Sequence, residues 1–218
     1  MHNYTIDTDI RPKITRIIVF LSIAIFLLEA LVLKLFGISL IPLNITFFSL
    51  GIFLIKLVGL TATSFMVLQL IYNKFFWKSK LMKQIHHIPN LNGCWTGEFI
   101  SSKMDKEGMP YTGSCKMIIE QTWTKIKITC YFNKSTSDSQ TATINVNGSN
   151  GVELKFEYYN KAEKTIDENI KAHTGMNTLR FIKEEDLLTG DYYSDKNRGN
   201  HGTLEVSRTS NNSVTQES

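Results

Sequence analysis

Asp191 and Asp195 flank Tyr192, Tyr193 and Ser194 in the stretch "TGDYYSDKNRG". Two carboxylates four residues apart can hold a divalent ion or divide acid and base roles, but only where a histidine, a further ligand or a glycine-rich phosphate loop completes the set. No such partner accompanies them, and neither Gly-x-Ser-x-Gly nor the Walker pattern occurs. His86 and His87 are adjacent, so a helix would turn them to different sides, a poor arrangement for one metal ion. Cys94, Cys115 and Cys130 are scattered, with no Cys-x-x-Cys spacing; an odd, scattered set suits a reducing compartment and buried strand positions. The chemistry expected is therefore binding without catalysis, with no metal and no cofactor.

The elements that must position a binding site come in two materials. Residues 1–83 carry nine Lys and Arg against three Asp and Glu, whereas residues 84–218 carry fifteen against seventeen. The overall charge of +4 is thus concentrated beside the apolar segments, and the remainder lacks the cation cluster that DNA or RNA binding needs. Ile17 to Phe36 is a run of twenty residues broken only by Glu29 and Lys34, and Ile45 to Tyr72 is a longer one with Lys56 as its single charge. Both are long enough to cross a bilayer. Pro42, in the uncharged "GISLIPLN", marks a turn between them. Arg11, Lys13 and Arg16 precede the pair and Lys74, Lys78, Lys80 and Lys83 follow it, so the positive-inside rule puts both termini in the cytoplasm. A charge at the bilayer centre costs roughly 2.5–3.5 kcal/mol. Glu29 and Lys56 either pair, within one hairpin or between protomers, or reach separately for the interface. Residues 75–90, "FFWKSKLMKQIHHIPN", read as an interfacial helix continuing from the second span until Pro89 ends it.

From Asn90 onward the period changes to two. Val152, Leu154, Phe156 and Tyr158 alternate with Glu153, Lys155 and Glu157, and Ile126, Ile128, Cys130 and Phe132 alternate with polar residues in the same way. Further strands follow at 94–100, 114–121, 140–146, 173–182, 187–194 and 202–208. Eight antiparallel strands with one apolar face each predict a lipocalin-like up-and-down β-barrel behind a membrane α-helical hairpin. In a closed barrel the first and last strands are neighbours, which lays the guanidinium of Arg208 against the ring of Trp95 as a barrel closure. The organisation expected is a cytoplasmic N-terminal segment (1–16), two transmembrane helices (17–73), a basic interfacial linker (74–90), a β-barrel (91–209) and a disordered tail (210–218).

Two spans followed by strands in the order "PNLNGCWTGEF", "IIEQTWTKIKI", "STSDSQTATI", "AHTGMNTLRF" and "LTGDYYSDKNRGNHGTL" resemble the two-transmembrane, β-strand-rich effectors of bacterial cyclic-oligonucleotide anti-phage signalling (CBASS). The resemblance runs from about Ile17 to Arg208 and rests on the order of the motifs. It implies that the barrel binds a cyclic dinucleotide made by a partner nucleotidyltransferase after infection. Ligand would drive homo-oligomerisation through the membrane segments, disrupt the inner membrane and kill or arrest the cell. A cyclic dinucleotide offers phosphates and flat bases, so its site wants cations, hydroxyl or amide donors and aromatic faces. Gln121, Trp123, Ser135, Ser137, His173, Tyr192 and Arg198 are the candidates. Each has a plainer use: Trp123 as a cap on a turn, Tyr192 as core in phase with Leu188 and Gly190, His173 as a structural histidine, Arg198 as a loop charge. A membrane-tethered lipocalin-like carrier and a constitutive membrane scaffold remain as alternatives. The large inward residues Trp95, Phe99, Phe132, Phe156 and Phe181 disfavour an open carrier and move a nucleotide site to one barrel mouth or a loop cleft.

Overall fold

The computed structural model describes residues 1–38, 40, 46–105, 107–132, 135–162, 172–196 and 198–209. The chain divides into two units: Thr8–His86, and Met1–Asp7 together with the chain from His87 onward. The expected turn at Pro42 and the expected tail at 210–218 lie outside the described residues.

The first unit contains α1 (Ile10–Leu35) and α2 (Phe47–Lys74), both long and apolar enough to cross a membrane. The 26 residues of α1 rise roughly 39 Å. Pro12 is tolerated because the first-turn amides of a helix have no partner to lose. Thr46 begins α2 through a capping box with Ser49: the Ser49 amide donates to Thr46 Oγ1 at 3.1 Å and the Thr46 amide to Ser49 Oγ at 2.8 Å. Ile14, Ile18, Ser22, Phe26 and Ala30 recur every fourth residue along the buried stripe of α1, and Phe26 meets Phe53 of α2 with ring centroids 6.4 Å apart. The large apolar side chains on the other faces are exposed. The helix does not run unbroken to Pro89. It ends at Lys74, a 3-10 turn follows at Phe76–Lys78, and α3 (Lys80–His86) restarts after Ser79. There Ser79 Oγ accepts the Met82 amide at 3.3 Å.

The second unit is a closed, antiparallel, up-and-down barrel of eight strands: β3 (Gly93–Met104), β4 (Pro110–Gln121), β5 (Lys125–Phe132), β6 (Ser135–Gly148), β7 (Gly151–Ala162), β8 (His173–Ile182), β9 (Leu187–Ser194) and β10 (His201–Arg208). Each pairs with its sequence neighbours, and β10 closes onto β3 with Arg208 opposite Trp95 and Gly202 opposite Ser101. Trp95, Met117, Ile128, Ile144, Leu154, Phe156, Leu179 and Leu188 fill one end of the interior.

The backbone ladder between β5 and β6 joins Thr129–Phe132 to Ser135–Asp138, and the Ile128 amide donates to Ser139 Oγ at 2.9 Å. Beyond that they part, and the gap is filled from the other end of the chain. β1 (His2–Asn3) pairs antiparallel with β5, and β2 (Thr5–Ile6) pairs parallel with β6. Between them Tyr4 is buried in the barrel core, and the Asp7 carboxylate accepts the amides of Val146 at 2.8 Å and Asn147 at 2.9 Å. Strands of two residues carry no readable periodicity, so neither announces itself in the sequence.

Candidate functional site

The barrel is plugged at one end and hollow at the other. At the plugged end the guanidinium carbon of Arg208 sits 4.2 Å from the centroid of the Trp95 ring, a contact worth about 0.5–2 kcal/mol. Arg208 Nη1 donates to Asn92 O, Nη2 to Asn90 O at 3.0 Å, and Nε pairs with Asp186 at 3.2 Å. Trp95 Nε1 donates to Leu91 O at 3.0 Å.

At the other end the strands outrun their apolar segments and enclose a cavity of about 300 Å³. β6 begins at Ser135, not at Gln140, so Ser135 and Ser137 stand on a strand wall. Cross-strand register then sets Ser137 beside Asn160 and Asn160 beside His173. A second row sets Phe156 beside Asn177, Asn177 beside Tyr192 and Tyr192 beside Gly202. Two bulky phenols fit because glycine faces them: a Cβ on Gly202 would stand 2.8 Å from the Tyr192 ring, and one on Gly175 would stand 2.4 Å from that of Tyr158. Phe99 is the aromatic hub, edge-on to Phe132 at 5.4 Å and to Tyr192 at 6.4 Å.

Arg198 is brought to the mouth by its loop. Asp195 Oδ2 accepts the amide of Thr174 at 3.0 Å, and the Asp195 amide donates to Thr174 O at 2.8 Å. The Arg198 amide donates to Asp195 O at 3.1 Å, and the Gly199 amide to the same oxygen at 2.8 Å. Lys103 is the second cation among the described residues lining the cavity, and none of those residues is a carboxylate. A domain of net negative charge thus presents a locally cationic mouth.

Burial pushes the Tyr158 and Tyr192 phenols above their ordinary value; hydrogen bonds with Ser194 and Ser101 and the charge of Arg198 act in the opposite sense. Both remain neutral donors at physiological pH. The Cys130 thiol, also on the wall, is held well above its ordinary range by its hydrogen bond with Cys115 and by burial. It is an unreactive neutral group.

Ser135, Ser137, His173, Tyr192 and Arg198 therefore share one cavity. Gln121 and Trp123 do not line it; they lie at the plugged end. The Leu91 amide donates to Gln121 Oε1 at 2.8 Å, and Gln121 Nε2 donates to Pro89 O and Tyr4 Oη, each at 3.3 Å. Trp123 is buried. The cause is position along the strand: Gln121 is the last inward residue of β4 and Trp123 follows it, at the end away from the cavity, where a polar or aromatic residue serves packing.

The cavity also holds Asn160, Asn177, Asn200, Ser101 and Ser194, which were not among the expected residues. Strand parity points to two of them. Asn160 continues the inward series Leu154, Phe156, Tyr158, and Asn177 is in phase with Leu179 and Phe181.

The profile of the Cap15 cyclic dinucleotide receptor domain matches residues 86–208, more than half of the chain. The chain belongs to the Cap15 family. The CD-NTase-associated protein 15 of Yersinia aleksiciae is similar to it, 32% identical over 137 residues, which are 63% of this chain and 64% of that protein. The chain thus spans a little under two thirds of the length of the relative it matches. The Cap15 match takes in all eight strands of the closed barrel and the whole cavity. β1 and β2, at residues 2–6, stand outside the matched range.

Proposed function

We propose that the chain is a CBASS effector whose barrel binds a cyclic dinucleotide, supplied by a partner nucleotidyltransferase, in the cavity at its hollow end. The observation that carries this reading is the lining: Arg198 and Lys103 with no carboxylate among the described residues, beside aromatic faces and buried hydroxyls and amides. Cations answer the phosphates, and flat rings answer the bases. Buried amides and hydroxyls fit a carrier of apolar ligands poorly, because their hydrogen-bonding capacity would go unused.

Connectivity supports the membrane arrangement. β1 and β2 precede α1 and belong to the same barrel as the strands that follow α2. A chain whose two ends join one domain crosses an even number of times, which supports a two-pass hairpin. The flanking Lys and Arg favour the cytoplasm for that domain. Ligand-driven assembly through α1 and α2 would then disrupt the inner membrane. Among the described residues no ion pair joins Glu29 to Lys56 within the chain; a pairing between protomers would favour the assembled state.

Titration calorimetry of the full chain in detergent micelles, against cyclic di- and trinucleotides with a linear dinucleotide as control, tests the reading. Tight binding of one cyclic species is expected, and silence from a folded barrel overturns it. Dye release from vesicles holding the protein tests the output. Glu29→Leu should keep ligand affinity and lose release; undiminished release removes Glu29 from the assembly.

A further inference from the structure

Two asparagines in the cavity have hydrogen-bonding capacity that the fold does not use. Asn160 is 3% exposed; its Nδ2 donates to Ser135 Oγ at 3.1 Å, and its Oδ1 has no partner among the described residues. Because the Ser135 hydroxyl can give or take a hydrogen bond, turning the amide over would orphan the other end instead. Asn177 is 5% exposed and lies deeper, in register with Phe156 on one side and Tyr192 on the other. Among the described residues nothing hydrogen-bonds its amide. Buried polar groups are almost always paired, so the unpaired Asn160 Oδ1, and in the same cavity the Asn177 amide that faces its open space, mark places where a ligand supplies the partner. If apolar filling were all the fold required, leucine would be the better residue at either position.

We propose that Asn177 is a specificity-determining residue that reads the edge of one nucleobase inserted into the barrel, while Asn160 takes a donor of the same ligand nearer the mouth. This rests on the receptor reading above. An amide sets an acceptor beside a donor, so it is satisfied at both ends by a base edge carrying a donor beside an acceptor, as in the pairing of asparagine with adenine. Tyr192, the cross-strand neighbour of Asn177, and Phe99, edge-on to Tyr192, supply aromatic surface around that base. The sugar–phosphate ring stays toward the mouth, within reach of Arg198. At about 300 Å³ the cavity is at the small end for a ligand pocket, which suits one base held inside and the rest of the ligand at the rim.

The test uses the full chain in micelles, three forms of it, and the four cyclic dinucleotides that each carry two identical bases. Asn177→Leu keeps the shape and removes the amide; Asn177→Asp keeps the shape and leaves only acceptors. The wild type should rank the four ligands clearly. Asn177→Leu should weaken the best by tenfold or more and flatten the ranking. Asn177→Asp should shift preference toward guanine, whose Watson–Crick edge sets two N–H donors side by side. Thermal melting of each form shows that it is folded. Folded variants that keep the wild-type ranking overturn the assignment of Asn177 and leave the receptor reading standing. Silence of the wild type across the panel overturns both.

Discussion

Asp195 holds Arg198 in place through its main-chain oxygen and through carboxylate Oδ1, which accepts the Arg198 amide at 3.3 Å, while Oδ2 is spent on Thr174. The Arg198 amide meets Asp195 O at 3.1 Å, and Asp195 Oδ2 accepts from the Thr174 amide at 3.0 Å. The carboxylate therefore anchors the loop without neutralising the guanidinium, which stays available to an anion at the cavity mouth.

Removing the guanidinium should cost one charge-assisted interaction, about 1.5–3 kcal/mol, or roughly ten- to hundredfold in affinity. Arg198→Ala should show that loss in calorimetry with an unchanged melting temperature. Asp195→Ala, which frees the loop but keeps the cation, should show a smaller loss. Full affinity in both variants would remove Arg198 from the site.

Gln121→Leu should behave in the opposite way. It leaves the buried Leu91 amide without its acceptor, at a cost of about 1–3 kcal/mol in stability. Ligand affinity measured well below the melting temperature should not change. A selective loss of affinity would bring Gln121 back among the ligand contacts.

Tyr4→Ala should destabilise the barrel by about 3–5 kcal/mol, the range for truncating a large buried aromatic side chain. Tyr4 lies in the core and donates to Thr122 O at 3.3 Å. Denaturant unfolding of the full chain in micelles measures the change. A loss below 1 kcal/mol would mean that β1 and β2 contribute little to closing the wall.

The phenols set an upper pH limit. The folded-state values of Tyr158 and Tyr192 are raised above the ordinary 10.0. Their contribution to stability is therefore complete below that value and is lost as pH rises through the raised ones. Melting temperatures should hold between pH 7 and pH 9 and fall above about pH 10. Tyr192→Phe should blunt the fall.

The barrel was legible wherever inward positions are apolar. Val152 to Tyr158 and Ile126 to Phe132 announce themselves by alternation because their inward side chains are apolar or aromatic. The strand ends around the cavity were not, and the reason is chemical. Ser135, Ser137, Asn160 and Ser101 point inward yet are polar, so the alternation fades where the interior becomes a binding surface. The expected strands at 94–100, 114–121, 140–146 and 152–158 came out short at that rim, and the two buried asparagines carried no apolar signal. Arg198 and Tyr192 stood out by residue type. Trp123 and Gln121 stood out by type as well, but residue type does not reveal which end of a barrel a residue occupies.

If α1 and α2 cross the membrane as proposed, the seam between β5 and β6 ties insertion to completion of the fold. His2 pairs with Ile126, and Thr5 with Thr143, so the two sides of the seam are synthesised before α1 and after α2. In a chain that crosses only once, Met1–Asp7 would be stranded across the bilayer, and Ile126, Ile128 and Ile144 would lose the cover of Tyr4 and Ile6. An unsealed barrel of that kind is what proteases and chaperones recognise. On the proposed two-pass arrangement the seam would serve as a check on insertion, because only a molecule threaded twice through the membrane could finish its barrel.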